Sequence, residues 1–143
     1  YELFIFKNIW FIFKPTVLRT ILPRIIRRLN CYYENLATQK ECVQIILRLI
    51  TVCILKKELA GANYLLNKLT TTNQIWNNNC QLTLENITLA FLKNIIIWIT
   101  SKQTQAIKNN VTVIIDTLKQ FEDKTYQITF QGILKQVTEL YAL

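Results

Sequence analysis

The sequence predicts an all-α protein, and three observations predict it. Isoleucine and leucine recur at spacings of three and four along most of the chain, the period of an amphipathic helix. Only two glycines and two prolines interrupt 143 residues, so few positions break a helix. The segments richest in β-type residues, Val111–Ile115 and Tyr126–Phe130, lie inside longer windows that keep the 3.6-residue period. The expected architecture is six to seven amphipathic helices stacked as irregular antiparallel hairpins, either a fragment of an α-solenoid or a compact helical bundle.

The first element is Glu2–Phe13, where Phe6, Ile9, Trp10 and Phe13 fall at helical spacing. Pro15 ends it or opens the next helix at its first position. From Thr16 to about Asn30, Leu18, Ile21, Leu22, Ile25, Ile26 and Leu29 fill one arc. Arg19, Thr20, Arg24 and Arg27 lie opposite, with Val17 and Arg28 at the border. Pro23 should kink this segment. Thr38-Gln39-Lys40-Glu41 reads as a capping box opening a helix to about Glu58. That helix is apolar nearly all round except for Gln44, Arg48 and Thr51, so it should be central. Lys56 and Lys57 in its last turns suit the negative end of the dipole.

Leu59–Leu69 follows, with Gly61 serving the turn and Ala62, Leu65, Leu66 and Leu69 inward. Thr70–Gln81 is a polar loop, pinned by Ile75 and Trp76. Three more helices are predicted at about Leu82–Thr100, Gln103–Phe121 and Tyr126–Tyr141, the last with Thr125 as its N-cap. Their inward residues include Leu84, Ile87, Phe91, Ile95, Trp98 and Ile99, then Ile107, Val111, Ile114, Ile115 and Leu118. In the last helix they are Phe130, Ile133, Leu134, Val137, Leu140 and Tyr141. Residues 1–143 are expected to form a single helical domain, with sub-units 1–70 and 82–143 joined by loop 70–81. The chain contains no methionine and starts at Tyr1, which suggests a processed product or part of a longer chain.

Composition narrows the function more by exclusion than by motif. The chain is 51% hydrophobic and 18% charged, with no histidine. Well-buried helices, or an apolar face kept for a neighbour, account for that balance, since soluble domains average about 25% charged residues. Neither GxGxxG, GxxxxGK[ST] nor HExxH occurs, and Gly61 and Gly132 stand alone, so no phosphate-cradling loop or metalloprotease helix is present. A nucleophilic cysteine lacks a histidine base. No catalytic residue, cofactor, metal site or small-molecule substrate is expected.

Cys31, Cys42, Cys53 and Cys80 form no CxxC pair, and an all-cysteine zinc site normally uses two close pairs. Free thiols in a reducing, intracellular compartment are the simpler reading. The sequons at Asn86 and Asn110 fall in predicted helices, where glycan attachment is not expected. Leu3–Phe13, Val43–Leu55 and Ile87–Ile99 are too short and too interrupted for a membrane span, which needs about 18 apolar residues.

Charge is the sharpest positive signal. The net charge is +8. Residues 1–60 carry ten Lys/Arg against four Glu, and residues 61–143 seven Lys against five acids. All five arginines lie between Arg19 and Arg48. Arg19, Arg24, Arg27 and Arg28 therefore form a candidate face for an anionic partner, a phosphate backbone or anionic lipid. A solvated outer face gives the same pattern. Tyr32 and Tyr33 are the only nearby aromatics able to stack bases, so backbone contact is favoured over sequence reading. Phe4, Phe6, Trp10 and Phe13 form a second candidate, an apolar segment that packs on this domain, on a longer chain, on a partner or at a membrane interface.

Leu47 and Ala60, thirteen residues apart across a helix–turn–helix with Tyr64 following, resemble part of a tetratricopeptide unit. Val17–Leu29 with Pro23 in its middle resembles the first helix of a HEAT unit. Gln44, Arg48 and Thr51 stand where the tetratricopeptide pattern has Trp, Gly and Tyr, and no fixed period recurs. The resemblance implies a scaffold that binds other protein subunits along a groove within a larger assembly. The alternatives are a nucleic-acid-binding helical domain using the arginine face, and a peripheral membrane or organellar assembly factor using the aromatic segment.

Overall fold

A computed structural model describes residues 36–72, 82–101, 104–120 and 124–143, together with Lys14, Val17, Thr20, Ile21, Pro23, Arg24 and Arg27. The described residues are all-helical apart from short turns. They form α1 (Leu36–Leu55), α2 (Leu59–Thr72), α3 (Thr83–Ser101), α4 (Thr104–Gln120) and α5 (Lys124–Tyr141). These are five helices, fewer than the six to seven expected. The expected Glu2–Phe13 helix and most of Thr16–Asn30 lie outside the described residues, although Val17, Thr20, Ile21, Pro23, Arg24 and Arg27 are helical. Ile75 and Trp76 also lie outside them. Val111–Ile115 and Tyr126–Phe130 are helical. The chain divides into two compact units, Tyr1–Glu85 and Asn86–Leu143, and the division falls within the first turn of α3.

In the first unit, α1 packs on α2. Ten side chains between Cys42 and Ile54 are buried. Glu41, Gln44, Arg48 and Thr51 trace the one polar stripe, at spacings of three and four. Each large apolar side chain fully buried contributes roughly 1.5–3 kcal/mol, so the all-round burial of α1 dominates this unit. Ala62 at 0% exposure lets the α2 backbone approach closely, and Leu65, Leu66 and Leu69 continue the same face. Thr51 bonds back to the Leu47 carbonyl at 3.0 Å, so its hydroxyl is satisfied within the helix.

The turn between these helices corrects the expectation placed on Gly61. Gly61 is buried inside α2. The reversal is made by Lys57, at φ 59°, with Glu58 N–H donating to the Cys53 carbonyl at 2.7 Å and Lys57 N–H to the Ile54 carbonyl at 3.0 Å. That bond pair is the Schellman motif, with Lys57 in the left-handed position that glycine usually fills. Glu58 then accepts from Ala62 N–H at 3.1 Å, starting α2. Lys57→Gly should relieve the side-chain clash and stabilise the unit by roughly 1 kcal/mol, read as a higher urea midpoint.

Other helix ends also differ. α1 starts at Leu36, so Thr38 lies within the helix and is not its N-cap. α5 starts at Lys124, which likewise places Thr125 inside. Its carbonyl accepts from the Thr129 hydroxyl at 2.8 Å. α2 runs three residues past Leu69 because Thr70 and Thr71 turn their hydroxyls onto the Leu66 and Asn67 carbonyls, at 3.0 and 2.9 Å.

In the second unit α4 packs on α5. Val111, Ile115 and Leu118 of α4 and Phe130 and Val137 of α5 are buried. Phe91 of α3 stacks on Phe130 with ring centroids 4.3 Å apart and planes 18° off parallel. Tyr126 meets Phe130 edge-on at 6.3 Å. Ile107, Ile114, Ile133, Leu134, Leu140 and Tyr141 are half-buried, so the inner arcs are narrower than the apolar arcs. Lys119 and Asp116 form an exposed ion pair at 2.6 Å, a geometry that contributes little to stability.

Candidate nucleic-acid interface

The arginine face starts from local helix geometry. Val17, Thr20, Arg24 and Arg27 are helical and exposed, while Ile21 is half-buried. Spacings of three, four and three keep these four residues on one stripe. Pro23 is also helical and exposed, so the backbone on both sides of the Pro23–Arg24 bond stays in the helical region. Of the four arginines predicted to meet an anion, Arg24 and Arg27 are described, and both are helical and exposed. Arg19 and Arg28 lie outside the described residues, as do Phe4, Phe6, Trp10 and Phe13.

The surrounding charge favours an anion. Among the described residues of the first unit, Lys14, Arg24, Arg27, Lys40, Arg48, Lys56, Lys57 and Lys68 oppose only Glu41, Glu58 and Glu85. Glu85 is buried, which leaves the outer surface more positive than the residue count suggests. Like-signed surface charge of this kind raises the local concentration of anionic partners and their association rate. Arg48 is exposed on the polar stripe of α1, and Lys68 stands 5.9 Å over the Tyr64 ring.

A second polar cluster lies within this unit, and periodicity did not single it out. Glu85, in the first turn of α3, is 4% exposed. Its Oε1 accepts from the Gln44 amide nitrogen at 2.8 Å and lies 3.9 Å from Lys40 Nζ. Its Oε2 is buried and has no hydrogen-bond partner among the described residues. A buried unpaired acceptor costs about 1–3 kcal/mol. The first turn of a helix favours a carboxylate through its dipole, which offsets part of that cost. The signal in the sequence was Gln44 itself, because a polar residue on an otherwise apolar helix needs a partner.

The described cysteines offer no nucleophile. Cys42 and Cys53 are free and buried. Burial, with Glu41 nearby, pushes the Cys42 thiol up to about 11. Burial and Glu58, opposed by Lys56, do the same to Cys53. Both therefore stay protonated near neutral pH, and the thiolate is the reactive form. Among the described residues, no three His, Cys, Asp or Glu side chains cluster in a way that could hold a metal ion. No helix among them is long and apolar enough to cross a membrane. An open depression of about 360 Å³ lies along α5, lined by Gln131, Leu134, Lys135, Thr138 and Glu139. Its described lining comes from one helix.

Comparison with known proteins places these features in a family. No curated protein matches the chain, and no solved structure matches it. The family model described as the HTH-type transcriptional regulator Rgg, C-terminal domain, matches residues 1–132. That span holds the arginine face, Gln44, Glu85 and all of α1 to α4. The chain therefore belongs to the family of the C-terminal domain of the HTH-type transcriptional regulator Rgg.

Proposed function

We propose that this helical domain is a non-catalytic part of a transcriptional regulator and that its arginine face rests on the phosphate backbone of DNA. The observation that carries the reading is the exposed stripe of Arg24 and Arg27 in the most basic part of a chain from a transcriptional-regulator family. Arginine suits the task because its planar fork pairs with phosphate oxygens in a bidentate way. Phosphate contacts position a protein on the duplex and carry no sequence information themselves. Base reading then belongs to the helix-turn-helix named in the family description. An intracellular, reducing location accompanies this reading and suits free thiols.

The salt dependence of duplex binding tests it. Each phosphate neutralised contributes about 0.9 to the slope of log affinity against log salt. Exchanging Arg19, Arg24, Arg27 and Arg28 for Gln together should therefore flatten the slope by roughly three to four. Affinity at low salt should fall for every duplex sequence alike. Fluorescence anisotropy across a salt series measures both quantities, and an unchanged slope would remove the reading.

A protein-contact role is the second reading, and Val113 and Ile128 favour it. They are 62% and 67% exposed on the packed pair α4 and α5.

A further inference from the structure

Glu85 and Gln44 are 41 residues apart in sequence, so their bond is a tertiary tie between α1 and the first turn of α3. That tie is poorly compensated. The carboxylate is 4% exposed; among the described residues one oxygen takes one bond at 2.8 Å and the other has no partner. Among the described residues, the cation recorded beside it is Lys40, 3.9 Å from the bonded oxygen and itself 46% exposed. One turn from Gln44 on α1 stand Lys40, Glu41 and Arg48, all exposed, and Leu47, buried, so the carboxylate sits where the polar stripe passes under cover. An apolar side chain of similar volume commonly replaces a buried, incompletely paired charge with no loss of stability. Releasing the turn returns the carboxylate to water, while holding it down leaves an acceptor unpaired.

We propose that Glu85 makes the first turn of α3 a release catch, a segment of the first unit that lifts from α1 at lower free energy than the α1–α2 core unfolds. Local opening of this kind is how cooperative segments of low stability enter regulation. The catch depends on the geometry of Gln44, Lys40 and Glu85 and stands independently of the DNA reading.

Native-state hydrogen exchange on the intact chain tests it. The amides of Ile87, Thr88 and Leu89 bond to the carbonyls of Thr83, Leu84 and Glu85 in a regular helix, so they report the first turn of α3. In the unaltered protein they should exchange faster than the amides of Ile45 to Ile54. Glu85→Met removes the buried charge at similar length and should slow them about ten- to a hundred-fold, leaving α1 unchanged and the melting temperature equal or higher. Glu85→Gln keeps shape and hydrogen bonding and should slow them less, which guards against a packing failure peculiar to Met. Gln44→Ala should speed them. Faster exchange and a lower melting temperature in both Glu85 variants would overturn the proposal, because the carboxylate would then be a net stabilising tie. Unchanged exchange in both would overturn it equally.

Discussion

Ile50→Glu is expected to leave the chain unfolded in buffer at neutral pH. Ile50 is 0% exposed in the middle of α1, flanked on the helix by Leu49, Ile46 and Ile54, all buried. The new carboxylate has no described basic residue on its own side of the helix, since Arg48 points to the exposed stripe. Burying an ion without a partner costs several kcal/mol even after relaxation. The lost isoleucine adds roughly 2–5 kcal/mol of transfer and cavity cost. Together these reach the whole stability of an ordinary domain, about 5–15 kcal/mol. The control is Arg48→Glu, a larger change of charge two residues away at an exposed position. It should alter stability by about 0.5 kcal/mol or less. Far-UV circular dichroism and a thermal melt on both variants decide the matter. A cooperative melt for Ile50→Glu near that of the unaltered chain would mean that α1 is not the core helix described here.

That contrast shows what the sequence carries well. The stripe of Gln44, Arg48 and Thr51 could be read from periodicity because a mostly apolar helix leaves few polar positions to place. The helices after it could be read from apolar residues recurring at spacings of three and four, to within a residue or two at most ends. The ends themselves depend on φ and on single hydrogen bonds, which side-chain patterns report poorly. Lys57 takes the left-handed position although Gly61 stands four residues on. The run Thr70–Thr72 looks like a loop but continues α2 by bonding back to its own turn. Thr38 and Thr125 have the chemistry of caps, and neither sits at a helix start.

Glu85 was hidden for a different reason. Residue type places glutamate at the surface in most proteins, and its partner Gln44 is 41 positions away. Only tertiary packing brings them together. The arginine face was legible as a pattern, because charge asymmetry needs no coordinates. Its task in the cell is not written in that pattern, since a solvated face and a phosphate-binding face share one helical period. The family match over residues 1–132 supplies a regulatory setting that the pattern by itself lacks.

Phe130→Ala should cost about 3–5 kcal/mol, among the largest losses expected from a single truncation in the second unit. Phe130 is 2% exposed, and Phe91, stacked on it, is 0% exposed. Its ring also receives the edge of Tyr126, at 83° between planes. Truncation therefore opens a cavity against a flat face that cannot collapse, and it removes two aromatic contacts worth about 0.5–1.5 kcal/mol each beyond area burial. Phe130→Leu separates these causes, because it refills most of the volume while losing the ring geometry. It should cost less than half as much. A double-mutant cycle with Phe91→Leu should return a coupling energy of at least 0.5 kcal/mol, as residues in direct contact do. Urea titration gives the free energies, and hydrogen exchange locates them, with protection falling across Val111, Leu118 and Val137. Additive losses at positions 91 and 130 would show that the two rings are buried separately and that the stack contributes no pairwise stability.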